Sequence, residues 1–374
     1  MKKIFNNALV FKNGQFHKTD FALDGNSFSE FGKLSKGEDL HCAIVIPGLF
    51  DIHTHGAVGI SFNSIQEKDF ANIANYFAQN GATSILATTI TSMDETALKS
   101  QLKVLAKLCE QYPIFKGIHL EGPFLSAEFK GAMMEEFLLK PDINKFKEFQ
   151  KAANGYIKLI TVAPELEGAK EFISEVSNMG VAVSLGHSGA TYTQTNQALE
   201  SGARSFTHTF NAMKPLTHKT EGSILISALE SDAYAEIIAD GNHVNKDLFK
   251  LLVKCKGLNK IIGISDSLAQ AGLPNGVYPT DDGRFIRKND GDLFYEGTTT
   301  RAGSVIGIFD CLKNFQIFTN NTLETCLPVY TENPATMLGI NGGVIQEHSP
   351  ADFVVVKDNK IQQVYSLGNC IFKA

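Results

Sequence analysis

A repeated order of helix, glycine and strand runs through the middle of the chain and constrains its fold more than any other feature. Apolar residues at helical spacing precede Gly81, Gly180 and Gly257, and glycine is a common helix stop. Each glycine is followed by a short apolar run: ATSILATT, VAVSLGHS and LNKIIGISDS. A fourth glycine, Gly202, precedes ARSFTHTF. This alternation is typical of a parallel sheet whose strands are joined by helices.

The candidate strands number eight, which is the number that closes a (β/α)8 barrel. They are residues 44–53, 83–90, 115–121, 157–163, 181–187, 205–210, 235–240 and 261–266. An open doubly wound sheet is the alternative, and it usually carries a glycine-rich phosphate turn after its first strand. The corresponding segment here is IPGLFDIHTHG, which has no such turn. The sequence therefore predicts an α/β protein built on a TIM-like (β/α)8 barrel.

Both ends of the chain differ from the middle. Hairpin signals occur at 12–15 (KNGQ) and at 23–26 (LDGN). Near the other end, DFVVVKDNKIQQVYSL is typical of strand, polar turn and strand. We expect the two ends to pair into one small β-sandwich domain. Its predicted parts are 1–47 and 336–374, with the barrel over 48–335.

The composition excludes several classes of protein. Net charge is −6 and no basic block occurs, so nucleic acid and anionic membranes are poor partners. The N-terminal stretch has no apolar run of signal-peptide length, because Asn6 and Asn7 interrupt it, and no segment approaches a membrane span. The six cysteines are scattered without a C-x-x-C pair, which favours reduced thiols. We therefore expect a globular, cytoplasmic protein with no nucleic-acid or membrane partner.

Polar side chains gather where the predicted strands end. They are Asp51, His53, His55, His119, Glu121, His187, His208, Asp240, His243 and Asp266. In a barrel these ends meet on one rim, which is where enzymatic sites form. A single histidine there is more often a packing residue, and a single aspartate more often caps the next helix. So many ionisable groups would be costly to bury together without a cation or a proton network, so the pattern predicts a metal site.

The ligand types indicate which metal the site takes. Imidazole with carboxylate favours zinc, with iron, cobalt or nickel as alternatives, over magnesium or calcium. Glu121, His187 and His208 make three ligands and leave a position for water. His53 and His55 point to the same side of the first strand and could hold a second ion, with Glu121 bridging. We therefore expect one or two divalent ions.

The same residues indicate a type of chemistry. A bound metal lowers the pKa of water from about 15.7 to about 7, which makes deprotonation easier by roughly 12 kcal/mol. Asp266 is predicted to take the proton of that water and later hand it to a leaving group. His243 could polarise a carbonyl or hold the substrate. The sequence thus predicts metal-assisted hydrolysis of an amide, an ester or a related C–N bond.

The chain resembles the amidohydrolase superfamily in its first-strand segment, PGLFDIHTHG. It resembles more narrowly the N-acetylglucosamine-6-phosphate deacetylase family, through the ordered motifs HLEGPFL, GHSGAT, THTFNAM, ADGNH and SDSLAQAG. The resemblance implies a homodimer that removes acetate from the 2-acetamido group of an amino-sugar phosphate. It implies that Glu121, His187 and His208 are metal ligands and that Asp266 is the catalytic base and then acid. A carboxylated lysine on the fourth strand is not expected, and Lys158 is interpreted as structural.

The resemblance also implies a set of substrate contacts. They are Ala132, Asn211, Ala212, Lys219, His243, Arg301, Ala302 and Gly303. Lys219 replaces an arginine that grips phosphate across the dimer in the family, and Glu221 lies nearby in THKTEGS. Met133 stands where the family has histidine, and Arg301 where it has an apolar residue. Either these changes are drift around an unchanged substrate, or Arg301 has taken over anion binding, or the substrate differs.

Other functions remain open at this point. One is a deacetylase for N-acetylgalactosamine 6-phosphate or another N-acyl amino sugar. Another is a cyclic amidase or dipeptidase of the same superfamily, which fits the glutamate on the third strand and GHSGAT less well. A catalytically dead relative would be expected to lack Asp266 or a metal ligand, and none is lost.

Overall fold

The computed structural model describes residues 2–374, so Met1, the first residue of the predicted segment 1–47, lies outside the described residues. The strands are β1 (Lys3–Lys12), β2 (Gln15–Asp24), β3 (Ser27–Gly32), β4 (Glu38–Asp39), β5 (Ile44–Pro47), β6 (Leu49–Thr54), β7 (Gly56–Ala57), β8 (Ile60–Ser61), β9 (Ala82–Thr89), β10 (Phe115–Glu121), β11 (Ile157–Val162), β12 (Ala182–Leu185), β13 (Ser205–Phe206), β14 (Tyr234–Ile238), β15 (Ile261–Ile264), β16 (Gly276–Pro279), β17 (Phe285–Asn289), β18 (Asp292–Tyr295), β19 (Phe353–Lys357), β20 (Lys360–Ser366) and β21 (Asn369–Lys373). The α-helices are α1 (Phe70–Gln79), α2 (Glu95–Gln111), α3 (Ile143–Ala152), α4 (Ala169–Asn178), α5 (Tyr192–Glu200), α6 (Ile224–Glu230), α7 (Lys246–Lys256), α8 (Ile308–Thr319), α9 (Leu323–Tyr330) and α10 (Glu332–Leu338). Short 3-10 helices occupy Glu67–Asp69, Glu135–Phe137 and Leu258–Lys260. Within the described range, no helix is both long and apolar enough to cross a membrane.

Eight parallel strands form the barrel, in the order β15, β14, β13, β12, β11, β10, β9 and β6. The sheet closes where β6 meets β15. There the backbone N–H of Asp266 donates to the carbonyl of His53 at 2.9 Å, and that of His55 donates to the carbonyl of Ser267 at 2.8 Å. Strand β9 is buried along its whole length, as expected for a parallel strand covered on both faces. All eight predicted strands are present, and the predicted (β/α)8 barrel is confirmed.

The first predicted strand, 44–53, divides between two sheets. Strand β5 pairs antiparallel with β19, whereas β6 enters the barrel. Gly48 lies between them, and a Cβ atom on it would fall 2.0 Å from the hydroxyl oxygen of Thr83. Only glycine therefore allows the chain to pass this close to β9 while it crosses from one sheet to the other.

The two chain ends form the predicted β-domain. Its strands make one continuous mixed sheet, in the order β21, β20, β19, β5, β1, β2 and β3, with β4 paired to β1. The sheet encloses an aromatic core in which Phe353 stacks on Tyr365 with ring centroids 4.4 Å apart, and Phe5 stacks on Phe21 at 4.8 Å. Strand β5 joins the N-terminal strands to the C-terminal ones. A separate domain built from both termini is thus confirmed, while its boundaries at 47 and 336 stay a prediction.

A small sheet that the sequence did not predict follows the last barrel strand. Strands β16, β17 and β18 pair antiparallel in chain order. Two turn-forming segments, DDG at 281–283 and NDG at 289–291, could have indicated it. Its apolar face, with Ile286 and Leu293, packs with Leu268, which lies just beyond the end of β15. This inserted sheet therefore lies beside the rim where the polar strand ends meet.

Candidate metal centre and active site

Two groups of ionisable side chains meet at the carboxyl ends of the barrel strands. One group is Glu121, His187 and His208, and the other is His53, His55 and Asp266. Within each group the potential ligand atoms all lie within 4.8 Å of one another, and all six residues are buried. The structure therefore brings together every residue that the sequence predicted as a metal ligand, together with the predicted catalytic aspartate.

The first group has the donor set of a metal site. The Nε2 atoms of His187 and His208 each lie 3.1 Å from the Glu121 Oε1 atom and 3.0 Å from each other. His187 donates from Nδ1 to the carbonyl of Phe129 at 3.0 Å, so Nε2 of the neutral ring carries a lone pair. That lone pair faces a carboxylate oxygen, and two acceptors this close repel each other unless a cation lies between them. These residues therefore fit a divalent metal.

The second group shares Glu121 with the first. His53 donates from Nδ1 to Glu236 at 3.1 Å, and its Nε2 atom lies 3.4 Å from Glu121 Oε1 and 3.6 Å from Asp266 Oδ1. His55 Nε2 lies 3.1 Å from Asp266 Oδ1 and 3.4 Å from Glu121 Oε2. Among residues 2–374, His53 Nε2 has no hydrogen-bond partner. The Glu121 carboxylate thus lies between the two groups, close to histidines of both.

The electrostatics also favour positive charge at this point. Burial opposes ionisation of Glu121, yet the neighbouring histidines, His53 foremost, hold the pKa of its carboxyl well below the usual value. Burial opposes a charged His53 as well, yet Glu121 and Asp266 raise the pKa of its imidazole well above the usual value. Against burial, His53 and His55 lower the pKa of Asp266. A cation bound between the groups would meet the same demand for positive charge.

The backbone at the site is held in an uncommon conformation. His187, His208 and Asp266 have positive φ angles of 49°, 32° and 50°. A non-glycine residue in this region costs on the order of 1–3 kcal/mol and persists only where its surroundings hold it there. Such residues concentrate at functional sites. The strain at these three strand ends therefore accords with a functional role.

Two of the polar strand-end residues are structural in their contacts. His119 Nε2 lies 2.8 Å from the Thr161 hydroxyl, and burial holds the pKa of the ring well below its usual value. Asp51 accepts from the Ser265 hydroxyl at 2.5 Å, and burial raises the pKa of its carboxyl to about 6. Neither belongs to the two groups of potential ligands.

The residues predicted to touch substrate lie on the loops around the two groups. Ala132 lies in the loop after β10, beside Gly131, on which a Cβ atom would stand 3.2 Å from His187 Cε1. The carbonyl of Ala212 accepts from the backbone N–H of Ser188, which follows His187. Asn211 donates from its amide to the carbonyl of His208 at 3.2 Å. These loops are therefore tied directly to the first group.

His243 and the segment from Arg301 approach from the other loops. His243 Nδ1 lies 2.7 Å from Asp240 Oδ2, and although burial opposes its charge, Asp240 raises the pKa of the ring above its usual value. The backbone of Gly303 (φ 125°) lies against Asp266, because a Cβ atom there would stand 3.0 Å from the Asp266 carbonyl. Ala302 is buried and donates its backbone N–H to Leu293 of the inserted sheet.

Three charged residues depart from the family pattern, and each of them is either paired with another group or exposed to solvent. Arg301 donates from Nε and Nη2 to the two carboxylate oxygens of Asp292 at 3.0 and 2.8 Å. Lys219 lies on an exposed loop between β13 and α6. Glu221 accepts from the backbone N–H of Thr193 in the first turn of α5 at 3.3 Å. The predicted cations thus differ: Lys219 is exposed, whereas the guanidinium of Arg301 already faces a carboxylate.

Sequence reasoning missed two residues that shape the site. Glu236 is fully buried in β14 and accepts from both the His53 ring and the backbone N–H of His208. Arg284 of the inserted sheet donates to the carbonyl of Ala132 at 2.7 Å. A glutamate inside the apolar run YAEII was a usable signal for the first. No sequence signal indicated the role of Arg284, because its partner Ala132 lies far away in the sequence.

Comparison with known proteins places the chain in a family. The model of the amidohydrolase family matches residues 44–371. The chain belongs to the amidohydrolase family. It is 33% identical over 341 residues to N-acetylglucosamine-6-phosphate deacetylase of Bacillus subtilis. The aligned region covers 88% of this chain and 85% of that amidohydrolase. The Caenorhabditis elegans enzyme of the same name is 31% identical over 354 residues. That alignment covers 90% of this chain and 84% of the relative.

Solved amidohydrolase structures agree with this placement. N-acetyl-D-glucosamine-6-phosphate deacetylase of Mycobacterium smegmatis, in complex with N-acetyl-D-glucosamine-6-phosphate, matches with a TM-score of 0.93 at 27% identity and covers 99% of both chains. The Pasteurella multocida deacetylase matches with a TM-score of 0.92 at 28% identity. An enamidase shares only the fold, at 14% identity and a TM-score of 0.63. Amidohydrolases are metal-dependent, and the two buried groups are the candidate ligands here.

Proposed function

We propose that this protein hydrolyses the acetamido group of N-acetyl-D-glucosamine 6-phosphate to glucosamine 6-phosphate and acetate. The observation that carries the proposal is the buried Glu121–His187–His208 group beside Asp266, in an amidohydrolase whose relatives of similar length are such deacetylases. A dipeptidase is not favoured, because a β-aspartyl dipeptidase resembles this chain in fold alone, at 15% identity and a TM-score of 0.53, and a cyclic amidase fits the glutamate on the third strand and GHSGAT less well.

The metal site would be formed as follows. Glu121, His187 and His208 would hold one divalent ion, and His53 and His55 would hold a second, with Glu121 between them. When bound, such an ion lowers the pKa of a coordinated water from about 15.7 to about 7 and polarises the amide carbonyl. The imidazole and carboxylate donors favour zinc, with iron, cobalt or nickel as alternatives.

Asp266 would move the protons of the reaction. Its carboxylate is ionised, since the neighbouring histidines lower its pKa, and it can therefore accept a proton from the attacking water. As the C–O bond forms and the C–N bond breaks, Asp266 would return that proton to the departing amine nitrogen. His243, with a raised pKa and Nδ1 bound to Asp240, would offer Nε2–H to the substrate.

The remaining contacts would hold the sugar phosphate. Ala132, Asn211, Ala212, Ala302 and Gly303 would bind through backbone and amide groups near the metal ligands. Lys219 is the exposed cation offered for phosphate, since the Arg301 fork faces Asp292. Because Lys219 lies on an exposed loop, it could contact the phosphate of a substrate bound in a second copy of the chain. We therefore propose a homodimer. The cytoplasmic location stays a prediction.

The test is acetate release by the zinc-loaded protein. N-acetylglucosamine 6-phosphate is compared with N-acetylglucosamine, which tests the need for phosphate, and with N-acetylgalactosamine 6-phosphate, which tests the choice of epimer. We expect a kcat/KM for the first substrate at least about 100-fold above that for the unphosphorylated sugar, the loss expected when a charged anchor is removed. Little turnover of any of the three with metal bound would contradict the proposal. Light scattering tests the dimer.

A further inference from the structure

A carboxylate outside both metal groups holds the loop that follows β12. Glu165 lies shortly after the end of β11, and its Oε1 atom accepts from the backbone N–H of Gly189 at 2.6 Å. Its Oε2 atom accepts from the Ser188 hydroxyl at 2.7 Å. Both partners come directly after His187, one of the potential ligands of the first group. Glu165 therefore reaches that group through the loop that carries His187.

The serine held by Glu165 is bonded to a loop that carries proposed substrate contacts. Ser188 is fully buried, and its backbone N–H donates to the carbonyl of Ala212 at 3.0 Å. The carbonyl of Ser188 accepts from the backbone N–H of Lys214 at 3.0 Å. Its hydroxyl oxygen also accepts from the backbone N–H of Ala190 at 3.0 Å. The loops after β11, β12 and β13 therefore meet at this one residue.

The loop after β10 encloses the same segment from another side. A Cβ atom on Gly189 would stand 2.6 Å from Cε2 of the Phe129 ring and 3.6 Å from Glu165 Oε1, so only glycine allows this approach. The carbonyl of Phe129 accepts from His187 Nδ1 at 3.0 Å. The backbone N–H of Ser126 donates to the carbonyl of His187 at 3.1 Å. The segment 187–189 is thus enclosed between Glu165 and the loop after β10.

The conformation of His187 requires such support. Its φ angle is 49°, and a non-glycine residue persists in this region only where its surroundings hold it there. The two bonds from Glu165 fix the two residues that follow His187. Glu165 does not serve helix α4 instead, because the N-cap of α4 is Gly168 and no side chain caps it. The contacts of Glu165 therefore serve the segment that carries the ligand.

We propose that Glu165 is a positioning residue, which holds His187 in place as a metal ligand by fixing Ser188 and Gly189. The inference rests on the metal site of the proposed function. Glu165 acts through the reach of its two oxygen atoms, and this separates two variants. In Glu165→Gln the amide can accept from Gly189 through Oε1 and donate to the Ser188 hydroxyl oxygen through Nε2. In Glu165→Asp the charge stays, but a side chain one methylene group shorter cannot reach both donors.

The test is the zinc affinity of these two variants and of the unmodified full chain. Each apo-protein is titrated with zinc against a competing chelator, without substrate. In Glu165→Asp we expect the affinity for one bound ion to fall about tenfold, the lower end of the usual effect of losing a group that orients a ligand. In Glu165→Gln it should stay within about threefold of the unmodified protein. Unchanged affinity in folded Glu165→Asp, or a loss in Glu165→Gln alone, would overturn the inference.

Glu167→Asp is the matched control. Glu167 lies in the same loop, is exposed, and pairs with Lys140 at 3.2 Å, so the same shortening there should leave the zinc affinity unchanged. A lower free energy of unfolding in urea for Glu165→Asp, with zinc affinity unaltered, would mean that Glu165 is merely structural and would overturn the inference.

A third variant covers the case in which Glu165→Asp does not fold. Ser188→Ala removes the hydroxyl that joins Glu165 to Ala190, and it should likewise lower the zinc affinity about tenfold. Unchanged affinity in folded Ser188→Ala would overturn the inference. Because no substrate is present in these titrations, a failure of the protein to release acetate would count against the proposed function alone.

Discussion

The metal groups and the substrate-facing loops share one rim of the barrel but are built in different ways. The six ionisable side chains of the metal groups are each at most 11% exposed and lie at or just beyond the ends of barrel strands. Lys219 lies on an exposed loop, and the Arg301 side chain is 40% exposed. Strand pairing fixes the first set, whereas loop conformation fixes the second. The charged departures from the family pattern accordingly fall in the loops.

This difference predicts how each region responds to substitution. Removing one member of a buried charged network leaves its partners unpaired, which is far more costly than losing an exposed ion pair. Effects should therefore be largest at the strand ends, intermediate at residues that support them, and smallest at exposed pairs.

The largest effect is expected for Asp266→Asn. The amide keeps the size of the side chain but cannot accept the proton of water, so kcat should fall by about 10²–10⁴-fold, the usual contribution of a general base. Metal content, measured by mass spectrometry, should stay unchanged. Turnover close to that of the unmodified protein would remove Asp266 from its proposed role.

Glu236→Gln should weaken the second group selectively. Glu236 orients His53 through its Nδ1–H, and loss of such a partner typically lowers metal affinity by about 10–100-fold. Titration of the apo-protein with zinc should then give one tight ion per chain, where we expect two for the unmodified protein. Glu175→Gln, on the exposed face of α4, is the control. Unchanged stoichiometry in both variants would contradict the role of Glu236.

The same contrast explains how much could be predicted from the sequence. The helix–glycine–strand order and the polar strand ends predicted the barrel and the residues that meet on its rim, because periodicity and strand ends are local features. The glutamate inside YAEII marks Glu236 as unusual, but its contact with His53 joins residues 183 positions apart, and no local pattern indicates that partner. The pairing of Arg301 with Asp292 likewise depends on how the chain folds back beside β18, and the sequence indicated only that the charge is present.

Arg284→Ala should have an intermediate effect. Its guanidinium joins the inserted sheet to the loop of Ala132, pairs with Asp282, and lies 3.9 Å from the centre of the Tyr295 ring. Loosening that loop should raise KM by about tenfold with little change in kcat, and should lower the free energy of unfolding by about 1–3 kcal/mol.

Arg287→Ala is the matched control for Arg284→Ala. Arg287 lies on β17, which begins directly after Arg284, but its pair with Glu296 is exposed, and such pairs contribute about 0–1 kcal/mol. Urea unfolding and substrate titration measure both quantities. Equal losses in the two variants would assign Arg284 a purely local role in the inserted sheet.

The smallest effect is expected for Arg301→Leu. Both arms of the Arg301 fork face Asp292, so the pair is neutral as a unit and offers a phosphate little net attraction. KM for N-acetylglucosamine 6-phosphate should therefore change by less than about threefold, in keeping with an exposed ion pair. Lys219→Ala, measured in parallel, should raise KM more, because Lys219 is the exposed cation. A strong rise for Arg301→Leu would mean that Arg301 leaves Asp292 when substrate binds and has taken over the anion grip.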